Sequence, residues 1–117
     1  MRASKNGHLE IVKVLVEKGA KLDIQIDCGN TALIIASSWC HLKMVKLLVE
    51  KGAKIDIQNK YGKTTLMWAS YNGHLKIIQY CVEKGAKIDI QDNDGYTALS
   101  LAKNQKNKEY LISKRAK

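Results

Sequence analysis

Proline is absent from this 117-residue sequence, arginine appears only twice among its twenty basic residues, and the three cysteines, Cys28, Cys40 and Cys81, show no CxxC pairing. Odd, scattered cysteines exclude a disulfide framework or a zinc knuckle as the organising device. They make a reducing, intracellular setting the expectation. No apolar run approaches the roughly 18 residues of a membrane-spanning helix, and the opening Met1-Arg-Ala-Ser-Lys lacks the apolar core of a secretory signal. There is no glycine-rich phosphate loop, nucleophile elbow or HExxH, so familiar signatures of nucleotide binding, ester hydrolysis and zinc proteolysis are missing. With 45% hydrophobic and 26% charged residues, the chain suits a folded domain rather than a disordered one.

The formal charge of +9 raises the question of nucleic acid. The charge is concentrated: Lys103, Lys106, Lys108, Lys114, Arg115 and Lys117 face only Glu109 in the last stretch. Elsewhere lysines recur in phase, as Lys18, Lys51 and Lys84, and again as Lys21, Lys54 and Lys87. The near absence of arginine argues against forked phosphate and guanine recognition. Nucleic-acid binding is therefore not the leading expectation.

What the chain does have is repetition. Residues 31–63 return more than half identical as 64–96, begin again at Thr97, and have their second half already at 5–30. Thr31, Thr64 and Thr97 set a period of 33 residues, a length that signals a stacked repeat. Within 31–63, Thr31 suits a helix N-cap, with a short helix over 32–39 and a stop at Cys40, where the next copy has Asn72-Gly73. A second helix is expected over 41–50, with the amphipathic stripe Leu42, Val45, Leu48 and Val49. Gly52 closes it with Lys51 at the negative end of its dipole. An extended leg over 53–63 then turns at Gly62, in phase with Gly29 and Gly95, where glycine accepts positive φ. Helices this short are marginal alone, so their apolar stripes must be buried against the next copy.

The 33-residue period, the TALIIA, TTLMWA and TALSLA openings, NGHL at 6–9 and 72–75, and the thrice-repeated EKGAK resemble ankyrin repeats across essentially the whole chain. The resemblance implies an all-α solenoid of paired antiparallel helices linked by hairpin-like loops, in one domain of about three and a half units. These are a partial repeat over 1–30, repeats over 31–63 and 64–96, and a C-terminal capping repeat over 97–117. The family's T-P-L-H-x-A opening has lost its proline (Ala32, Thr65, Ala98) and its histidine (Ile34, Met67, Ser100), a departure expected to cost local stability.

The ends differ. In the last copy, Lys114 and Arg115 replace Leu48 and Val49, giving the second helix a polar outer side, as a solubilising cap needs. Residues 1–6 align to the middle of a first helix, leaving Ile11, Val12, Leu15 and Val16 without a neighbour on that side. This predicts a fragment of a longer array or an engineered chain, with self-association through an uncapped N-terminal face.

Catalytic readings give way to structural ones. His8, His41 and His74 repeat in phase, but stacked helices lie about 8–10 Å apart and Zn–N bonds are about 2.0–2.1 Å. A role at the start of the second helix, bonding to backbone, is expected instead. Asp23, Asp56 and Asp89 recur in every unit, as structural loop residues do. Cys28 is expected to be accessible beside a turn, with no base assignable, and Cys81, in the place of Leu48, reads as core. No catalytic residue, metal site or cofactor is expected.

Positions that change between copies are free to specialise. Around the turns these are Asp27, Cys28 and Asn30, then Lys60, Tyr61 and Lys63, then Asn93, Asp94 and Tyr96. At first-helix ends they are Lys5 and Asn6, Ser38 and Trp39, Tyr71 and Asn72, Asn104 and Gln105. The family resemblance implies that hairpin tips and first helices line a concave groove where a partner protein docks. Trp and Tyr are enriched at binding hot spots, so Trp39, Tyr61, Tyr71 and Tyr96 are the expected anchors, with Ser38, Lys60, Lys63, Asn72, Asn93 and Asp94 around them. Lys60 and Lys63 favour an acidic partner. The expected function is non-catalytic protein–protein recognition. The alternatives are electrostatic binding of nucleic acid or anionic membrane through the basic C-terminal segment, and an engineered or truncated scaffold without a dedicated partner.

Overall fold

Each threonine that marks the period caps a helix. Thr31, Thr64 and Thr97 stand in extended backbone, and each hydroxyl accepts the N–H three residues on: Ile34 at 3.2 Å, Met67 at 3.3 Å and Ser100 at 3.2 Å. The computed structural model describes residues 22–115. They form six helices: α1 (Ala32–Ser38), α2 (Leu42–Glu50), α3 (Thr65–Asn72), α4 (Leu75–Glu83), α5 (Ala98–Leu101) and α6 (Gln105–Arg115), after a single 3₁₀ turn at Asp27–Gly29. No strand occurs among the described residues. Residues 1–21, and with them the expectations for His8, Ile11, Val12, Leu15 and Val16, lie outside this range.

Two kinds of side chain stand where the helix opening has lost its histidine. Ile34 and Met67 point into the core, each about 1% exposed, and burying such a side chain contributes about 1.5–3 kcal/mol. Ser100 instead completes a capping box, accepting the Thr97 N–H at 2.7 Å.

Helices stack in two layers. First helices pack side by side as α1, α3 and α5, second helices as α2, α4 and α6, and each pair closes on itself. Between the layers Leu33, Val45, Leu48, Leu66, Ala69, Ile77, Ile78, Cys81 and Leu111 are essentially dry. Burial pushes the Cys81 thiol up to about 12, with Asp56 adding to the effect, so this cysteine is a core residue and not a nucleophile. The body is elongated, 40 × 26 × 24 Å, as expected when each unit contacts mainly its neighbours.

The last copy departs from the expected register. Asn104 and Gln105, expected at the end of a first helix, belong to the start of the second: the Asn104 side-chain oxygen accepts from Lys106 N at 2.8 Å and Asn107 N at 3.4 Å, and Gln105 is the first residue of α6. The cause is local. Gly73 closes α3 in left-handed backbone (φ 78°), and Cys40 holds the same conformation (φ 61°), but the third copy has Lys106 there. There α5 stops at Leu101, and Asn104, with its side chain accepting from Lys106 N and Asn107 N, nucleates a longer second helix. Lys114 and Arg115 on it are exposed, as a polar cap requires.

Candidate binding face

The loops between copies form a ladder of hydrogen bonds, and this ladder positions the hairpin tips. Three hairpins are described, around Gly29, Gly62 and Gly95. Asp23 Oδ1 accepts from Lys54 N of the following copy at 2.9 Å, and Asp56 Oδ1 from Lys87 N at 3.1 Å. Gln25 Nε2 donates to Gln58 O at 2.9 Å, and Gln58 Nε2 to Gln91 O at 3.1 Å. At the tips, Lys60 N donates to Cys28 O at 2.8 Å and Asn93 N to Tyr61 O at 3.0 Å. The aspartate series is therefore structural. Backbones approach so closely that a Cβ on Gly62 would lie 2.7 Å from Asn93 N.

The hairpins around Gly62 and Gly95 are also stapled internally. Asn59 Oδ1 accepts from Tyr61 N and Lys63 N at 2.9 and 3.0 Å, and Asp92 Oδ1 from Asp94 N and Tyr96 N at 2.9 Å. The second atom of each staple reaches the preceding hairpin. Asn59 Nδ2 donates to Asn30 Oδ1 at 2.9 Å, and Lys63 Nζ donates to the buried Asp92 carboxylate in an ion pair. Burial pushes the Asp92 carboxyl up, but Lys63 and the N–H groups of Tyr96 and Asp94 outweigh it and hold it below the usual carboxylate range.

Against this ladder the candidate residues separate. Lys63 is committed to Asp92. Asn93 is held by its Nδ2 on Lys60 O at 2.9 Å, Ser38 bonds back to Ile35 O at 2.8 Å, and Asn72 Nδ2 reaches Ser38 O at 3.5 Å. Trp39 is half-buried at the C-cap of α1. Lys60, Tyr61, Tyr71, Asp94 and Tyr96 face solvent, with Tyr61 49%, Tyr71 44% and Tyr96 51% exposed. Lys60 lies over the Tyr61 ring at 5.8 Å, and Tyr61 OH lies 4.0 Å from Cys28 Sγ, itself exposed.

Tyr71 has two neighbours that are not among the expected site residues. Trp68 meets its ring edge-on with centroids 6.3 Å apart, and Lys103 Nζ sits 4.1 Å from the ring centroid. Trp68 precedes Tyr71 by three residues on α3, so helical spacing is the available signal. Lys103 belongs by sequence to the basic tail, but α5 ends early enough for it to fold over Tyr71 instead. An aromatic pair roofed by an ammonium presents both an apolar surface and a positive charge.

Two of the three histidines fall among the described residues, both at the start of a second helix. His41 and His74 occupy the N-cap positions of α2 and α4 without a side-chain capping bond, and burial lowers the His74 imidazole below its usual range. Among the described residues no group of three His, Cys, Asp or Glu is arranged to hold a metal, and no helix is long and apolar enough to cross a membrane.

The family model described as ankyrin repeats (3 copies) matches residues 1–59 and 51–117. A comparison with curated proteins finds no match.

Proposed function

Because the chain belongs to the ankyrin-repeat family, whose repeats generally mediate protein–protein interaction and are typically non-enzymatic, we propose that it recognises a partner protein through its first-helix ends and hairpin tips. The observation carrying this reading is the exposure of Tyr61, Tyr71 and Tyr96 at positions that change from copy to copy, on a frame whose repeating positions are buried or hydrogen-bonded. Rigidly mounted tyrosines lose little side-chain freedom on binding, which suits them as anchors. Trp39, Ser38, Asn72, Asn93 and Asp94 border them, Lys63 holds the hairpins in place, and Lys60 with Lys103 biases the face toward an acidic partner. The polar outer side of α6 serves as a cap.

The test is quantitative affinity capture with the wild type and a Tyr61→Ala/Tyr71→Ala variant. Both residues are exposed, so the variant is expected to fold, and loss of hot-spot contacts weakens a genuine partner by about 2 kcal/mol or more. A partner whose recovery falls in the variant supports the reading. Retention indifferent to the tyrosines, with log affinity for a polynucleotide falling steeply and linearly with log salt, transfers the function to the basic C-terminal segment.

A further inference from the structure

Lys103 breaks the pattern of the repeat. The positions it answers to in the two preceding copies are Ser37 and Ser70, both fully buried. An ammonium in that slot would sit unpaired inside the stack, where desolvation opposes it. Lys103 instead follows Ala102, whose backbone is extended (φ −69°, ψ 124°). It stands exposed, with Nζ 4.1 Å from the ring centroid of Tyr71 in the preceding copy. Among the described residues the lysine paired with a carboxylate is Lys63, and Lys103 has no such partner. Tyr71 remains 44% exposed with the ammonium over it, and the half-buried Trp68 braces it edge-on, with centroids 6.3 Å apart. The equivalents of this aromatic pair are Ile35 and Ser38 in the copy before, and Leu101 and Asn104 in the copy after. Among the described copies, the middle one alone carries it.

We propose that Trp68, Tyr71 and Lys103 form one recognition site, which takes an acidic residue and a large apolar residue set close together in the partner's chain. The inference rests on the partner-binding reading and names what the partner must present. An ammonium has three N–H donors and no acceptor, so the cation held over the ring offers its outward donors to a carboxylate. The open part of Tyr71, with the edge of Trp68, takes the apolar side chain. A lysine already seated on a ring of another copy has less side-chain freedom to lose when the carboxylate arrives. The same geometry limits the spacing within the partner. The ammonium lies 4.1 Å from one centroid, and the two centroids are 6.3 Å apart. Side chains two apart on an extended segment lie about 7 Å apart on one face, and those three or four apart on a helix about 5–6 Å. The acidic and apolar residues are therefore separated by about two to four positions.

Selection of a random dodecapeptide library, displayed on phage, against the immobilised 117-residue chain tests it. Affinities of the selected peptides are then measured by fluorescence polarisation, with circular dichroism verifying the fold of each variant. Wild type is expected to enrich peptides that carry Asp or Glu close to a large apolar residue, at the spacing above. Their affinity should fall about tenfold or more in Lys103→Gln and in Tyr71→Ala. It should survive in Lys103→Arg, which keeps a cation for the ring. Lys76→Gln, which removes an exposed lysine of α4 in the other helix layer with the same change in net charge, should leave it unchanged. Peptides that need Tyr71 but lack the acidic residue, or that bind Lys103→Gln as tightly as wild type, overturn this inference and leave the partner reading standing. A library that yields no peptide dependent on Tyr71 also overturns it, and affinity capture with the Tyr61→Ala/Tyr71→Ala variant then decides the partner reading separately.

Discussion

Residues 31–63 and 64–96 fold to the same outline and reach it with different chemistry. The first helix buries Ile34 in one copy and Met67 in the other. The turn between helices is made by Cys40 in one and Gly73 in the other. The hairpin is stapled by Asn59 in one and Asp92 in the other. What stays constant is what the backbone demands: a hydroxyl at the helix start, positive φ at the turn, and an acceptor within the hairpin. What varies is how each demand is met and which neighbour meets it. Equivalent positions in one chain therefore supply internal controls for each other.

The largest contrast is expected at the turn glycines. Gly62 and Gly95 share a positive φ, 80° and 85°, but only Gly62 lies under a following hairpin. A Cβ there would meet Asn93 N at 2.7 Å and Asp92 Cα at 2.9 Å, whereas at Gly95 nothing lies within 4 Å. Gly95→Ala carries only the conformational cost of left-handed backbone, about 1 kcal/mol. Gly62→Ala adds displacement of a hydrogen-bonded main chain, and about 3 kcal/mol or more is expected. Urea midpoints of the two variants measure the difference directly. Equal losses would mean that φ alone selects glycine at both sites.

The staples come next. Lys63→Ala leaves the Asp92 carboxylate buried without its cation and is expected to cost about 2 kcal/mol at neutral pH. Asp92→Asn converts the second junction toward the chemistry of the first and is expected to cost about 1 kcal/mol. The pair also makes the two junctions differ in acid. The Asp92 carboxyl is held below its ordinary range when folded, so its contribution is present above the unfolded carboxylate pKa, around 4, and is lost as pH falls through the folded value. The gap between wild type and Asp92→Asn should therefore be widest at neutral pH and close in acid. A gap independent of pH would show that Lys63 and Asp92 act as a neutral hydrogen bond does.

These controls also show how far the sequence can be read. The period, the threonine caps, the turn glycines, the aspartate series and the burial of Cys81 follow from composition and phase, because each is a local demand repeated in every copy. The displaced start of α6 is legible in principle: Asn104 supplies a cap for a helix that begins earlier than in the other copies. Lys63 is harder. Comparing copies marks it as variable, and variability reads as freedom, yet Lys63 varies because its neighbour Asp92 varies with it. That partner lies 29 residues away in the next copy, so the constraint emerges only when two units are stacked. Lys103 over Tyr71 depends likewise on where α5 ends, a tertiary outcome with no local sequence mark.

The smallest expected effect is the most direct test of whether one copy can instruct another. Cys40 holds φ 61° at the end of α1 although it carries a Cβ, and the equivalent Gly73 holds φ 78° without one. Its thiol is exposed, so replacing it removes little packing. Cys40→Gly is expected to stabilise by about 1 kcal/mol or somewhat less. Relief of left-handed strain favours the variant, while the greater freedom of glycine in the unfolded chain opposes it. The converse change, Gly73→Cys, transplants the strain into the second copy, where the nearest heavy atom to a new Cβ is Asn107 Nδ2 at 4.0 Å. With room for the side chain, its cost should mirror the gain at Cys40, and the double exchange should leave the urea midpoint near that of wild type. If Cys40→Gly destabilises instead, the cysteine contributes something to its own copy that the glycine of the next does not supply.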